Sequence, residues 1–269
     1  MKEPFDKEVE GLVRYSDSSI SRRLIRPLFT YQYKGHYHLV FWWAVGTLWD
    51  YWTVNPMPRL SITTGLWFAK QVLGIVCALG QFNETQTPLP AGGGMEIMYG
   101  RHGDLKPDND LWFTHEDSTP DRRRSEHWRV HGADARSSDC LISDSGLTSF
   151  HRRASSTRTR SRTRSVPCSP TYRAPEFDLD PDQLVSQSSD IWSLGCLLLE
   201  FSIWLLGGWD LLESFSKQRL EDDESGIKED KFFIVTTVDI TLNTEHRDYR
   251  QAFIKPCIFE VSVPSSFCF

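Results

Sequence analysis

The chain has 269 residues, 39% of them apolar and 25% charged, with a net charge of -6. That length can bury a core without disulfides and holds one large domain or two lobes. Those fractions are ordinary for a soluble globular protein, and the acidic balance gives no global attraction to nucleic acid. Cysteines at 77, 140, 168, 196, 257 and 268 show no Cys-x-x-Cys spacing, so they read as reduced thiols, not a zinc site. The first eight residues are charged and carry no signal-peptide apolar core; a cytoplasmic or nuclear location is the default expectation. The most apolar run, Leu194 to Trp209, is broken by Glu200 and two glycines, so a buried helix is expected there and no membrane partner.

In chain order, residues 4–15 form a short amphipathic helix on Phe5, Val9, Leu12 and Val13. Leu24-Ile25 and Leu28 to Tyr33 read as a strand. Lys34-Gly35 is a turn, and His36 to Phe41 is a second strand. Residues 46–52 and 64–82 read as helices. The second carries a broad apolar stripe of Leu66, Phe68, Ala69, Val72, Leu73, Ile75, Val76 and Leu79 that predicts a buried core helix. Residues 83–98, with two prolines and Gly92-Gly-Gly94, read as a flexible loop. Residues 115–138 read as a solvated loop. The arginine–hydroxyl run from His151 to Ser165 reads as low complexity. Residues 189–200 read as a buried helix, and the 257–269 tail as apolar and strand-like.

The chemistry concentrates in Tyr99 to Phe113, a loop between a helix and a strand. Asp104, Lys106 and Asn109 place a carboxylate, a cation and an amide within six residues. That set suits phosphoryl transfer: the carboxylate orients a hydroxyl and accepts its proton, the cation offsets phosphoryl charge, and the amide oxygen helps hold a metal ion.

His102-Gly-Asp-Leu-Lys-Pro-Asp-Asn109 resembles the catalytic loop of eukaryotic serine/threonine protein kinases, most of all a fungal group of kinase-like domains. Asp144-Ser-Gly146 resembles that family's magnesium motif, and Cys168 to Glu176 its substrate loop ending in Ala-Pro-Glu. Ser189 to Glu200 resembles the helix that anchors its larger lobe. The resemblance implies an α+β, two-lobe fold with a truncated N-lobe over 1–44, a mainly helical C-lobe over 45–255 with an activation segment over 147–176, and an atypical tail over 256–269. It implies ATP and Mg2+ as cofactors and a protein hydroxyl as acceptor.

By the same resemblance Asp104, Lys106 and Asn109 are catalytic, and Asn109 and Asp144 hold the metal. Phe41 is the gatekeeper, Trp42, Trp43 and Ala44 form the hinge beside adenine, and Leu111 lies beneath it. Ser169 bridges the catalytic aspartate and lysine, and Asp190 bonds the backbone of the catalytic loop. Glu8 is the acid that pairs with a strand lysine, and Glu176 closes the substrate loop. The sequence departs from the family at Gly103 (usually arginine), Asp110 (usually apolar) and Ser145 (usually phenylalanine). Lys2, the only lysine ahead of the expected helix, is too close to it to lie on a preceding strand, so Glu8 has no partner, and no arginine matches the one that would pair with Glu176. A pseudokinase or interaction module, or a fragment of a longer kinase, is the alternative expectation.

Overall fold

The structure is a computed structural model that describes residues 23–25, 27–83, 85–88, 95–114, 138–143, 149–151, 168–180, 182, 185–221, 228–242 and 245–261. The expected helix over 4–15 with Glu8, residues 115–137, Asp144 to Gly146, residues 152–167 and residues 262–269 lie outside this set. The fold is mixed α and β, built from small antiparallel sheets packed around helices.

Strands β1 (Phe29–Tyr33) and β2 (His36–Val40) form a hairpin in register from Phe29–Val40 to Tyr33–His36. Its turn is Lys34-Gly35, both at positive φ, the left-handed conformation a tight hairpin turn requires. A short strand β3 (Gly46–Thr47) leads into α1 (Leu48–Val54). Thr47 caps α1: its hydroxyl accepts from the Asp50 N–H while the Asp50 carboxylate accepts from the Thr47 N–H, which satisfies two otherwise orphaned donors. Helix α2 (Ile62–Asn83) follows, then β4 (Thr85–Pro88), β5 (Met95–Arg101), β6 (Asp110–Thr114), β7 (Ser138–Ile142) and β8 (Ser149–His151). The last elements are a short α3 (Glu176–Leu179), the long α4 (Ser188–Glu221), and a ten-residue hairpin of β9 (Phe233–Leu242) and β10 (Glu245–Ile254).

Two three-stranded sheets frame the loop at residues 102–109. β5 is the middle strand of β4-β5-β8, and β6 is the middle strand of β3-β6-β7. The loop therefore leaves one central strand and enters another, its start paired to β8 and its end to β7. The core beneath is aromatic. Trp52, Trp67, Phe201 and Trp204 are almost fully buried, and Tyr51 packs edge-on against Trp112 and Trp204. Such rings each bury 150–250 Å², so this cluster dominates the packing that joins α1, α2 and α4.

Several sequence expectations change. Residues 83–98 are not simply a loop: Thr85–Pro88 pairs with Met95–Met98, strand against strand. Leu24 is a single parallel bridge to Ile142, not part of β1. Cys257 and Ile258 lie in a 3₁₀ turn, Pro256–Ile258, and not in a strand. The apolar stripe of α2 is too broad to bury on one side. Trp67, Ile75, Ala78 and Leu79 face the core, whereas Leu66, Leu73 and Val76 face outward. Helices α2 and α4 are long and apolar enough to cross a membrane by length and composition; more than half of that α4 stretch is buried in the fold.

Helix α4 breaks at Gly208, whose φ is 72°. The break exists because the chain after α1 presses on it: Trp209 N–H donates to Pro56 O at 2.7 Å, and Trp204 Nε1 donates to Asn55 O at 2.9 Å. A Cβ on Gly208 would meet Pro56 O at 2.2 Å, contact no rotamer can relieve. Gly208→Ala is therefore expected to lower stability by at least about 2 kcal/mol, from left-handed strain plus that backbone clash. Denaturant unfolding monitored by tryptophan fluorescence checks this, with a solvent-facing Gly80→Ala as the control expected to show no loss.

Candidate functional site

The backbone at residues 102 and 103 is held by one buried carboxylate. Asp190, in the first turn of α4 and 1% exposed, accepts from His102 N–H at 2.7 Å and from Gly103 N–H at 2.9 Å. Burial raises its carboxyl above the usual range, while His102 and the two backbone N–H groups oppose that rise. Gly103 sits at φ 88°, a conformation that favours glycine over any side chain. Arg101, 4% exposed, lies beside Asp190 and Glu176; burial pulls its guanidinium down, and those two carboxylates partly restore it.

Downstream of that clamp the loop folds over Asp104. Asp104 Oδ1 accepts from Ser169 N–H at 3.0 Å and from Ser169 Oγ at 2.8 Å. Oδ2 accepts from Lys106 Nζ at 2.9 Å and from Asn109 Nδ2 at 3.0 Å. Lys106 Nζ also donates to Ser169 Oγ at 2.7 Å. Partial burial pushes the Asp104 carboxyl up, but the bonds from Lys106 and Ser169 outweigh it and leave it below the usual carboxylate range. Four donors occupy the roughly four lone-pair positions a carboxylate offers.

Asn109 gives both amide hydrogens to Asp104, one to the backbone O at 2.8 Å and one to Oδ2. The group left to face a cation is its amide oxygen, the donor chemistry that Mg2+ takes. The backbone O of Asn109 accepts from both N–H and Oγ of Ser143, at 2.8 and 2.9 Å, and His102 Nε2 lies 2.8 Å from Ser143 O. Ser143 immediately precedes Asp144, so the segment leading to that acid is stitched to the loop. Asp144 itself lies outside the described residues, as does Glu8. No group of metal-ligating residues occurs among the described ones.

On the other side of the loop, Leu111 is half-buried in β6, in register with Thr47 and Leu141. Phe41 and Ala44 are half-buried, while Trp42 and Trp43 are 56% and 73% exposed. Glu176 opens α3, half-buried. Asp104, Lys106, Asn109, Ser169 and Asp190 are thus brought together; the segment 41–44 leads into β3, which pairs with β6.

The sequence did not reveal a second buried network behind the Ser169 loop. Arg219, 1% exposed, bonds Glu200 Oε1 at 2.8 Å and Asp230 Oδ1 at 2.6 Å, and its guanidinium stacks between Phe215 and Phe232. Tyr172 Oη donates to Glu200 Oε2 at 2.6 Å, and Ser193 Oγ donates to Tyr172 O at 2.8 Å. The two carboxylates hold Arg219 charged against the pull of burial. Lys255, fully buried, donates to Arg219 O at 2.5 Å and Glu229 O at 2.8 Å, closing the network from the end of β10. Its partners lie far apart in sequence, and only a lone Glu in an apolar run hinted at it.

Comparison with protein-family models finds none that matches the chain, and comparison with curated proteins finds no match either.

Asp110 stands apart. It follows Asn109, is fully buried, and neither carboxylate oxygen has a hydrogen-bond partner. Burial pushes its carboxyl up to about 7, with Arg23 pulling the other way. The folded state therefore keeps this proton between the ordinary value of 3.8 and about 7, and stability falls as pH rises through that window. The cost reaches about 4 kcal/mol at pH 8 but only about 1–2 kcal/mol at pH 5. Asp110→Leu is expected to raise the melting temperature more at pH 8 than at pH 5; an equal gain at both would contradict it. Asp190→Ala leaves two buried N–H groups unpaired and is expected to cost about 2–5 kcal/mol, read by denaturant unfolding.

Proposed function

We propose that this chain is a serine/threonine protein kinase domain, which transfers the γ-phosphoryl group of ATP to a protein hydroxyl. The single observation that carries the reading is the convergence of Lys106, Asn109 and Ser169 on the Asp104 carboxylate, all within 3.0 Å, on a loop clamped by Asp190. In this reading β1, β2 and residues 41–44 belong to a smaller lobe, and β3 to β10 to a larger one. A cytoplasmic or nuclear setting, a protein substrate as partner and no nucleic acid go with this reading.

The residues divide the work by chemistry. Asp104 already accepts as many hydrogen bonds as it can, so an incoming hydroxyl must replace one. Ser169 Oγ is the donor that matches it in kind, and its displacement leaves Oδ1 to align the substrate hydroxyl and take its proton. A carboxyl held below the usual range is a weak base, which suits a loose transition state in which positioning matters more than early deprotonation. Lys106, freed from Ser169, offsets charge on the moving phosphoryl group. The Asn109 amide oxygen and Asp144 would hold Mg2+, which supplies charge neutralisation on the phosphates when bound. Phe41, Trp42, Trp43, Ala44 and Leu111 would flank the adenine.

The exposure of Trp42 and Trp43 and of every residue of β1 favours a second reading, an interaction module that binds through this side. Phosphoryl transfer from magnesium–ATP to serine- and threonine-containing peptides separates the two. Asp104→Asn is expected to lower the rate at least about 10²-fold while leaving the melting curve cooperative. Transfer that survives Asp104→Asn would overturn the kinase reading. A folded wild-type chain that transfers nothing would favour the interaction module.

A further inference from the structure

Helix α2 presents an uncovered apolar seam. Ile62, Leu66, Ala69, Leu73, Val76 and Gly80 recur at alternating steps of four and three residues, the spacing of a coiled-coil contact line, and all six are exposed. Ile62 is 85% exposed, Leu66 68% and Leu73 64%. A Cβ on Gly80, or on the flanking Gly65, would meet nothing within 4 Å, so the space above the seam is open. The opposite face of the helix is committed to the fold: Gln71, fully buried, accepts from Cys140 N–H at 3.0 Å and from Arg23 at 2.7 Å.

We propose that this seam is the interface of a homodimer, in which α2 packs antiparallel on α2 of a second copy about a two-fold axis near Gln71. The sequence is self-complementary in that orientation. Ile62 falls opposite Gly80, Leu66 opposite Val76, and Ala69 opposite Leu73. A large side chain thus meets a smaller one at both ends and at the centre, the arrangement that fills an interface without voids. A parallel pair would set Gly80 on Gly80 and Ala69 on Ala69 and leave gaps at both. The symmetry is that of an isologous contact, one patch meeting itself.

Charge is compatible with self-association. The only charged residue of α2 is Lys70, which comes beside its own symmetry mate, and each ammonium carries its counter-ion with it, Asp139 at 3.1 Å. A membrane is a poorer occupant: to enter lipid, α2 would have to pull Gln71 out of its bonds to β7 and Arg23 and carry the polar group into hydrocarbon. The seam from Ile62 to Gly80 is about 27 Å long by about 10 Å wide, smaller than the interface of a stable dimer. The dimer is accordingly concentration-dependent, not obligate. The proposal is independent of the kinase reading.

Sedimentation of the full chain over a range of concentrations tests it. The wild type is expected to pass from monomer to dimer, and the double variant Leu66→Glu with Leu73→Glu to stay monomeric at the same melting temperature. Orientation is read by oxidative cross-linking in a Cys77→Ser background. Leu66→Cys with Val76→Cys is expected to give covalent dimers, since the two positions lie about 15 Å apart within one helix and cannot bridge internally. Ala69→Cys alone should not cross-link. A wild type that stays monomeric throughout, a glutamate variant that still dimerises, or cross-linking only through Ala69→Cys overturns the proposal. So does a monomeric chain recruited to phosphatidylcholine vesicles, which would mean that the seam meets lipid.

Discussion

The loop at residues 102–109 has the shape it has because one carboxylate is buried beneath it. Asp190 takes the N–H groups of His102 and Gly103, the two residues that follow the end of β5. Those bonds hold the left-handed turn at Gly103 and aim the next residue, Asp104, away from the core. Because Asp190 stands in the first turn of α4, the loop inherits the rigidity of the longest helix among the described residues. The middle strands β5 and β6 then fix where the loop starts and stops. Removing the carboxylate would leave the ends in place and release the centre.

The same helix supports the loop's partner. Ser169 reaches Asp104 only if the segment 168–174 is held against α4, and that is what Tyr172, Ser193, Glu200 and Arg219 do. A buried ion pair of this kind adds little net stability over an apolar core, yet losing one member leaves an uncompensated charge. Its value lies in geometry: Tyr172 and Ser193 set the height of the substrate-side loop, and the hairpin β9–β10 delivers Lys255 to close it. Asp110 shows the opposite case, a buried acid next to the loop whose carboxylate oxygens accept no hydrogen bond.

The parts legible in the sequence were those whose chemistry lies close together in the chain. Asp104, Lys106 and Asn109 share one loop, and the order of the later motifs pointed to Ser169 and Asp190. What stayed hidden depends on distant partners or on what covers a face. Arg219 meets Glu200 and Asp230 across folded chain, and nothing local in Lys217 to Asp230 signals that. The α2 periodicity marked an apolar helix correctly, but periodicity does not say which apolar residues find a neighbour, so Leu66, Leu73 and Val76 were assigned to a core they do not join. The β9–β10 hairpin carries a local signal of its own, the β-branched run from Phe233 to Leu242.

The dependence of the loop on Asp190 can be seen amide by amide. Hydrogen exchange at His102 and Gly103 measures whether these two N–H groups are buried in lasting bonds or only visit them. The account predicts protection close to that of the Cys196 and Leu197 amides in the middle of α4, lost selectively in Asp190→Asn while α4 stays protected. Exchange at the rate of the exposed β1–β2 hairpin in the wild-type protein would contradict it, because the loop would then have no fixed geometry for Asp104 to inherit.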